Sequence, residues 1–545
     1  MPARTEERSL RRIFASVAPA SLLVQIVSFG SSIVLATQLG ASTSTDAYYL
    51  ALSVPVIAYG VLLAGVRLGG IPELTRLAQD APTEQFRGGC NEIVTATLVS
   101  AIGLSIVVTG ILAVLLPILA GGSPQLAGLT REYMLELTPY AVTGAMLGAF
   151  GAVLAVRGHF AIATLVLAIE PILKSGLVLG FGRQLGVQAL VIGNIAGNFL
   201  AVAVLWEVAR RAGVSLRIAR FRRSPVVASV LALSAPLVLS QAVLQLNPVI
   251  DRTTAAALGS GSVTELELGV RLFTAPVTLL TATMIAPLAA TWSARLNTEG
   301  WFSAARSFSR VVAAVLICGP PLIVVGFILR HDIVSAAYSS HAYSAAAVTR
   351  TAGVLGMLLL GLIPRILIVP LSTLFVIHGD TIFPLKVGLA NCVLNAGTDL
   401  VFRGPFGVAG IALSTSFTLA LLCVLYVRGA RRRWGTLALR PGVTGLIPLS
   451  VLSGVASALV AIAVHGLLQG SQSRPTELAG ITAAAAAAVA LTAIIMSLGG
   501  GFRVAGLRLP LARYLGPQAA GPFALRRRGV RKTADAAAKG TGGAR

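Results

Sequence analysis

Arg271 stands about nine residues inside the expected apolar span 262–292. A guanidinium there costs on the order of a few kcal/mol by insertion scales, so it has to face protein or water rather than lipid. Arg365 stands between Pro364 and Pro370 in another apolar run, and Arg67 near the end of a third. Guanidinium groups make charge-assisted, often bidentate hydrogen bonds to phosphate oxygens, so three of them within apolar runs point to an anionic ligand. For each, a plainer reading stands beside this one. Arg271 and Arg67 could extend their stems to the membrane surface. Arg365 could belong to a structural ion pair.

Other polar residues lie in the same runs. Glu170 and Lys174 are four apart in the favourable order for a pair on one helix. They read as a self-neutralised pair or as an ion- or proton-coupling site. Asp399 and Arg403 have the same spacing at an expected helix end, where a solvated pair fits. Asp46, after Thr45, opens an apolar segment and reads as a helix cap or a ligand contact. Gln25 and Gln241 read as hydrogen-bond donors in a cavity or as packing contacts between helices. The cysteines, Cys90, Cys318, Cys392 and Cys423, show no paired spacing and read as small apolar fillers. The 5 histidines form no metal-binding pattern, and no cofactor motif or nucleophile constellation is present, so no enzyme is expected.

The elements that must hold these groups are helices in a bilayer. The chain has 545 residues, of which 55% are hydrophobic and only 12% charged, with a mean hydropathy of +0.84. Many apolar runs exceed the length needed for a span and lack period-two alternation, which predicts an all-α polytopic membrane protein. About fourteen transmembrane helices are expected, from 13–39 and 46–71 through to 443–468 and 477–499. The basic N-terminus followed by the first run reads as a retained span, because the run is too long for a signal peptide. The formal net charge of +23 clusters between spans: Arg76 with Arg87, the 210–223 run, Arg295 with Arg306, the 428–440 run and the tail. The alternate loops hold few cations. This asymmetry sets both termini on the cytoplasmic side, and it fits contact with anionic lipid headgroups better than nucleic acid. The tail at 501–545 is basic and reads as a disordered segment.

The first two spans recur as the seventh and eighth. Ala18-Pro19 with Gln25 returns as Ala235-Pro236 with Gln241, Leu39-Gly40 as Leu258-Gly259, and Pro55 as Pro276. This predicts two six-helix lobes in parallel repeat, 1–215 and 216–430, followed by two extra helices at 431–500. Parallel repeats place a substrate path at the lobe interface, and mid-span prolines such as Pro55 and Pro276 supply hinges or packing kinks.

Four segments, in this order, resemble one family. They are Thr45-Asp46-Ala47-Tyr48-Tyr49 with Pro55; Ile250-Asp251-Arg252 with Gly261-Ser262-Val263 and Arg271-Leu272…Pro276; His378-Gly379-Asp380 with Pro384 and Lys386; and Gly404-Pro405, Ala409-Gly410 and Leu413-Ser414. Over residues 15–430 the chain resembles the MurJ/MviN-type lipid II flippases of the multidrug/oligosaccharidyl-lipid/polysaccharide exporter superfamily. The resemblance implies two lobes around a cationic cavity. It also implies alternating access that moves an undecaprenyl-pyrophosphate-linked saccharide across the bacterial inner membrane, and a prenyl groove on the last two helices. The family's arginines of spans one and two are replaced by Gln25, Ser31 and Tyr59, and the acidic partner one turn beyond Arg271 by Thr274.

The function expected is therefore a monomeric flippase for lipid II or a related prenyl-linked glycan, with Arg271, Arg365, Arg67, Gln25 and Asp46 at the substrate and Glu170 with Lys174 as the coupling pair. The alternatives are an ion-coupled small-molecule or multidrug exporter on the same scaffold and a non-transporting scaffold for envelope assembly. The excess of intramembrane cations and the two extra helices favour the flippase over the exporter.

Overall fold

The computed structural model describes residues 2–214, 224–278, 301–435, 443, 445–468 and 474–498. The far half of the expected eighth span and the tail at 501–545 lie outside the described residues.

The described residues are helical, with no strand among them. The first span, α1 (Pro2–Leu39), turns at Gly40, whose φ of +68° only glycine adopts without strain. Helix α2 (Thr43–Ala51) then starts from an N-cap at Ser42, reinforced by a reciprocal bond with Thr45. So the cap of the second span is Ser42, not Asp46. Helix α3 (Ser53–Gly65) runs into a π-helical turn at Val66–Gly70 and then α4 (Ile71–Asp80). Pro72 has no N–H for the Leu68 carbonyl, which explains why the helix widens just where Arg67 sits.

Next come α5 (Thr83–Leu119), α6 (Pro124–Glu136), α7 (Thr138–Val156) and α8 (Phe160–Leu165). After a tight turn at Val166–Ala168 come α9 (Ile169–Leu185) and α10 (Gln188–Arg211). Then follow α11 (Pro225–Ala256), α12 (residues 262–278), α13 (Trp301–Ile328) and α14 (Arg330–Tyr338). Helices α15 (Ala345–Leu360) and α16 (Leu362–Ile377) form one expected span bent by 49° at Gly361, where Pro364 withholds an N–H from the preceding turn. The last four are α17 (Ile382–Phe406), α18 (Val408–Trp434), α19 (Leu446–Leu468) and α20 (Arg474–Leu498).

Among the described residues, 10 helices are long and apolar enough to cross a membrane, or 11 with the bent pair. Helix α11, at 32 residues, and α17, at 25, also have the length, and α17 is made more polar by Lys386, Asn391, Asn395 and Asp399. Exposed Ile, Leu, Val and Phe on α5, α17, α19 and α20 fit the lipid-facing surface of such helices.

The chain forms two compact units that do not follow chain order. One comprises Met1–Ala290 with Ile333–Ala430; the other comprises Thr291–Asp332 with Arg431–Arg545. In the second, α13 packs along α19 and α20 over Ala313, Ile317, Val443, Leu446 and Met496. There Ser450 Oγ donates to the Leu316 carbonyl at 2.6 Å, and His465 meets Asp332 at 2.7 Å.

In the first unit, α1 packs on α8 and α9, α3 on α5 and α7, and α11 on both α3 and α17. Its core includes Leu74, Phe86, Cys90, Met146, Phe150 and Leu205, so Cys90 is the apolar filler expected. Helix α10 reaches α9 through two glycines four apart. A Cβ on Gly193 would lie 2.6 Å from the Lys174 Cα, and one on Gly197 2.6 Å from the Glu170 Cα. This small-residue spacing lets the two helices touch at the level of the Glu170–Lys174 pair. Gly197→Val is therefore expected to cost about 1–3 kcal/mol by overpacking. Gly30→Ala, where an added Cβ meets nothing within 4 Å, is expected to leave stability unchanged. Thermal unfolding in detergent compares the two.

Candidate functional site

Helix α1 presents two overlapping stripes to the interior of the first unit. Val17, Val24 and Ser28 face a cavity of about 440 Å³, whose walls include Tyr59, Arg67, Tyr140, Glu170 and Asn198. Gln25, Ser28, Phe29 and Ser32 face a second cavity of about 200 Å³, closed on its far side by Arg271, Thr274, Ala275 and Thr278 of α12. A narrow gap of about 10 Å³ continues from there between Ser31, Tyr48, Tyr49, Lys174 and Arg271. Ser28 borders all three spaces, so they meet at one level of α1.

The charges around these spaces are nearly all paired. Glu267, one turn before Arg271, receives Arg252 Nε at 2.6 Å, and Arg252 also donates to Ser53 Oγ at 3.0 Å. Arg252 lies near the end of α11 and is only 7% exposed. Glu265 is held by Arg350 through both carboxylate oxygens, at 2.8 and 2.6 Å. Lys174 donates to Glu170 at 2.7 Å, so the pair anticipated from spacing is formed. Arg67, on the larger cavity, and Arg271 have no ion pair among the described residues, and Arg271 differs in how deeply its Nε lies. That Nε is buried with no partner. Two hydroxyls in the same gap, Ser31 Oγ and Tyr49 OH, are also buried without partners. Tyr48, beside them, is satisfied by Asn194 at 2.7 Å.

Of the residues singled out in the sequence, Gln25 and Arg271 share the 200 Å³ cavity, while Arg67 and Glu170 share the larger one. Lys174 reaches the gap beside Arg271. Arg365 is exposed in α16 and lines none of the three spaces, and Gln241 is exposed as well.

Asp46 has another setting. Its Oδ2 accepts the Gly261 N–H at 2.6 Å, and its Oδ1 accepts the Thr264 N–H at 2.8 Å and the Thr264 hydroxyl at 2.7 Å. A carboxylate on the start of α12 satisfies free N–H groups and complements the helix dipole. Thr264 also meets Thr45 at 2.9 Å, and Thr43 meets Ser260 at 2.8 Å. Thr45-Asp46 and Thr264-Glu265 hold the same place in the repeat, so the two halves are stitched at equivalent turns.

Sequence reasoning missed one polar centre. Asp399 is fully buried rather than solvated, because α17 continues to Phe406 and leaves Asp399 about two turns inside it. Both its oxygens lack hydrogen-bond partners, and the Asp251 carboxyl on α11 is a neighbouring charge. Asn395 Nδ2 donates to Asp251 at 2.5 Å. The signal available in sequence was the Asn395-x-x-x-Asp399 spacing on one helix face.

The family model described as lipid II flippase MurJ matches residues 35–482 of this chain. The chain belongs to the MurJ family. A probable lipid II flippase MurJ of Synechocystis sp. is 25% identical over 470 residues, covering 84% of this chain and 88% of the relative. The lipid II flippase MurJ of Burkholderia cenocepacia is 25% identical over 447 residues, covering 78% of this chain and 84% of the relative. A solved lipid II flippase MurJ in an inward closed conformation superposes with a TM-score of 0.72 at 16% identity, over 88% of this chain and 98% of that one. An inward-facing multidrug resistance MATE family transporter of the MOP superfamily gives 0.61 at 16% identity, over 79% and 99%. The fold of this MurJ-family chain is thus the all-helical fold that these transporters share. The stitched turns yield a direct check. Thr43→Cys with Ser260→Cys is expected to cross-link on mild oxidation, whereas either single variant stays uncross-linked on reducing-agent-free gels after limited proteolysis between the halves.

Proposed function

We propose that this protein moves a polyprenyl-pyrophosphate-linked saccharide, lipid II or a related cell-envelope precursor, across the bacterial inner membrane by alternating access. The observation that carries this reading is Arg271: a half-buried guanidinium on α12 whose Nε is buried without a partner, bordering a cavity opposite α1. A fixed, unpaired cation in a low-dielectric interior is costly alone and strongly favourable with a phosphate. Family membership agrees with it.

No covalent bond needs to change. The barrier to flipping is the dehydration of the headgroup, and protein donors lower it by replacing water. Arg271 and Gln25 would take the phosphates, and the larger cavity, with Tyr59, Tyr140, Asn198, Glu170 and Arg67, offers aromatic faces and hydrogen-bonding groups suited to a sugar. With both termini cytoplasmic, the turns joined by Asp46 lie on the outer side, so the Asp46 contacts hold that side shut and their release opens it. Direction then requires a bias between the two states. Asp251 with Asp399 suits a shared proton or a small monovalent cation, since either would satisfy facing carboxylates in an apolar interior. Glu170 with Lys174, already closed on itself, is the weaker candidate for that role. Exposed Arg431, Arg432 and Arg433 at the end of α18 suit anionic lipid headgroups, and the chain works as a monomer in this scheme.

Arg271→Ala is expected to abolish growth in a strain depleted of its native lipid II flippase, and Arg271→Lys to restore part of it. Full growth with alanine, at wild-type protein levels, would remove Arg271 from the mechanism. Asp399→Asn is expected to leave the protein folded yet slow transport at least tenfold in a vesicle assay of headgroup accessibility. Rates equal to wild type under all imposed ion gradients would rule out the coupling role.

A further inference from the structure

Three buried donors without acceptors converge on the gap at the end of the Arg271 cavity: Arg271 Nε, Ser31 Oγ and Tyr49 OH. Buried polar groups are normally satisfied, and each one left alone costs free energy. Tyr49 is 1% exposed and Ser31 is 5% exposed, so bulk water does not meet that need. Chance would scatter such atoms, yet these three come from three helices, α1, α2 and α12, and border the same space. Lys174 lines it too, with its charge already met by Glu170. The space itself, about 10 Å³, has room for at most one water, while the adjoining cavity of about 200 Å³ can take a phosphate group.

We propose that Ser31 and Tyr49 are specificity-determining phosphate ligands, supplying neutral hydroxyl donors beside Arg271 where phosphate presses into this gap as α1, α2 and α12 move apart. The inference rests on the flippase reading for its physiological ligand, but not for the site itself. Tyrosine and serine hydroxyls bond an anionic oxygen without adding charge. A site of one guanidinium and two hydroxyls therefore holds a phosphate while retaining the ability to release it, and its affinity falls less steeply with salt than that of a cluster of arginines. Ser31 stands where the family resemblance places a span-one arginine, so the hydroxyl pair marks a difference in headgroup grip particular to this chain.

The test separates a ligand from a structural hydroxyl. Purified full-length protein in detergent is titrated with farnesyl diphosphate, with farnesol as the phosphate-free control, for wild type, Ser31→Ala, Tyr49→Phe and Arg271→Ala. The expected result is that farnesyl diphosphate binds wild type, that each hydroxyl deletion weakens it by about tenfold, and that farnesol binding is unaffected. Thermal stability without ligand should stay the same or rise in Tyr49→Phe, because an unsatisfied buried hydroxyl has been removed. Unchanged diphosphate affinity in both hydroxyl variants, or no phosphate-dependent binding by wild type, overturns the proposal. The same proteins are then assayed in vesicles with lipid II. If wild type binds the diphosphate through these hydroxyls yet flips no lipid II, the ligand site stands and the assigned transport reading fails.

Discussion

A charge inside a bilayer has to be met by another charge, a dipole or trapped water, and most of this interior is arranged by that constraint. Arg252 answers Glu267, Arg350 answers Glu265, Lys174 answers Glu170, and the open N–H groups of α12 answer Asp46. The Arg252–Glu267 pair and the Asp46 contacts each tie two helices together, and Lys174 with Glu170 neutralises one helix face, because a charge left alone there would lie in a medium that solvates it poorly. Against that background the buried, unpartnered Nε of Arg271 is conspicuous. Arg271 is tolerated by a fold that neutralises its neighbours, and that is the electrostatic condition for an anionic ligand.

The repeat explains how the pairings are distributed. Equivalent residues do different work in the two halves. Asp46 crosses to the other half and caps α12, whereas Glu265, at the equivalent position, stays in its own half with Arg350. The first contact joins the halves through backbone N–H groups and hydroxyls, which can be exchanged for water. The second is a bidentate ion pair within one half, with Arg350 half exposed to solvent. The Gly193–Gly197 contact brings α10 onto α9 beneath the Glu170–Lys174 pair.

Much of the candidate site was legible in the residues. Arg271, Arg67, Gln25, Glu170 and Lys174 do border cavities, because a polar side chain in an apolar run has few other places to go. Arg365 was not separable on that logic. It lies just beyond the bend at Gly361, exposed on α16 and outside the lining of the three cavities. Asp399 failed for the opposite reason. A helix end inferred near Arg403 suggested solvent, but α17 runs on and turns Asp399 toward Asp251.

The sequence by itself determined the helical class and the membrane setting, and it singled out the polar side chains that stand in apolar runs. These follow from hydropathy and spacing, which are local properties of the chain. Only the tertiary structure decided which charges are cancelled and which are left open. Asp46 meets a backbone N–H 215 residues away, Arg252 a hydroxyl 199 away, and Arg350 a carboxylate 85 away. No local pattern encodes such partners, because electrostatic pairing depends on distance in space and on the exclusion of water between the groups. The orphaned trio of Arg271, Ser31 and Tyr49 is defined in the same way, by what the fold does not bring to it.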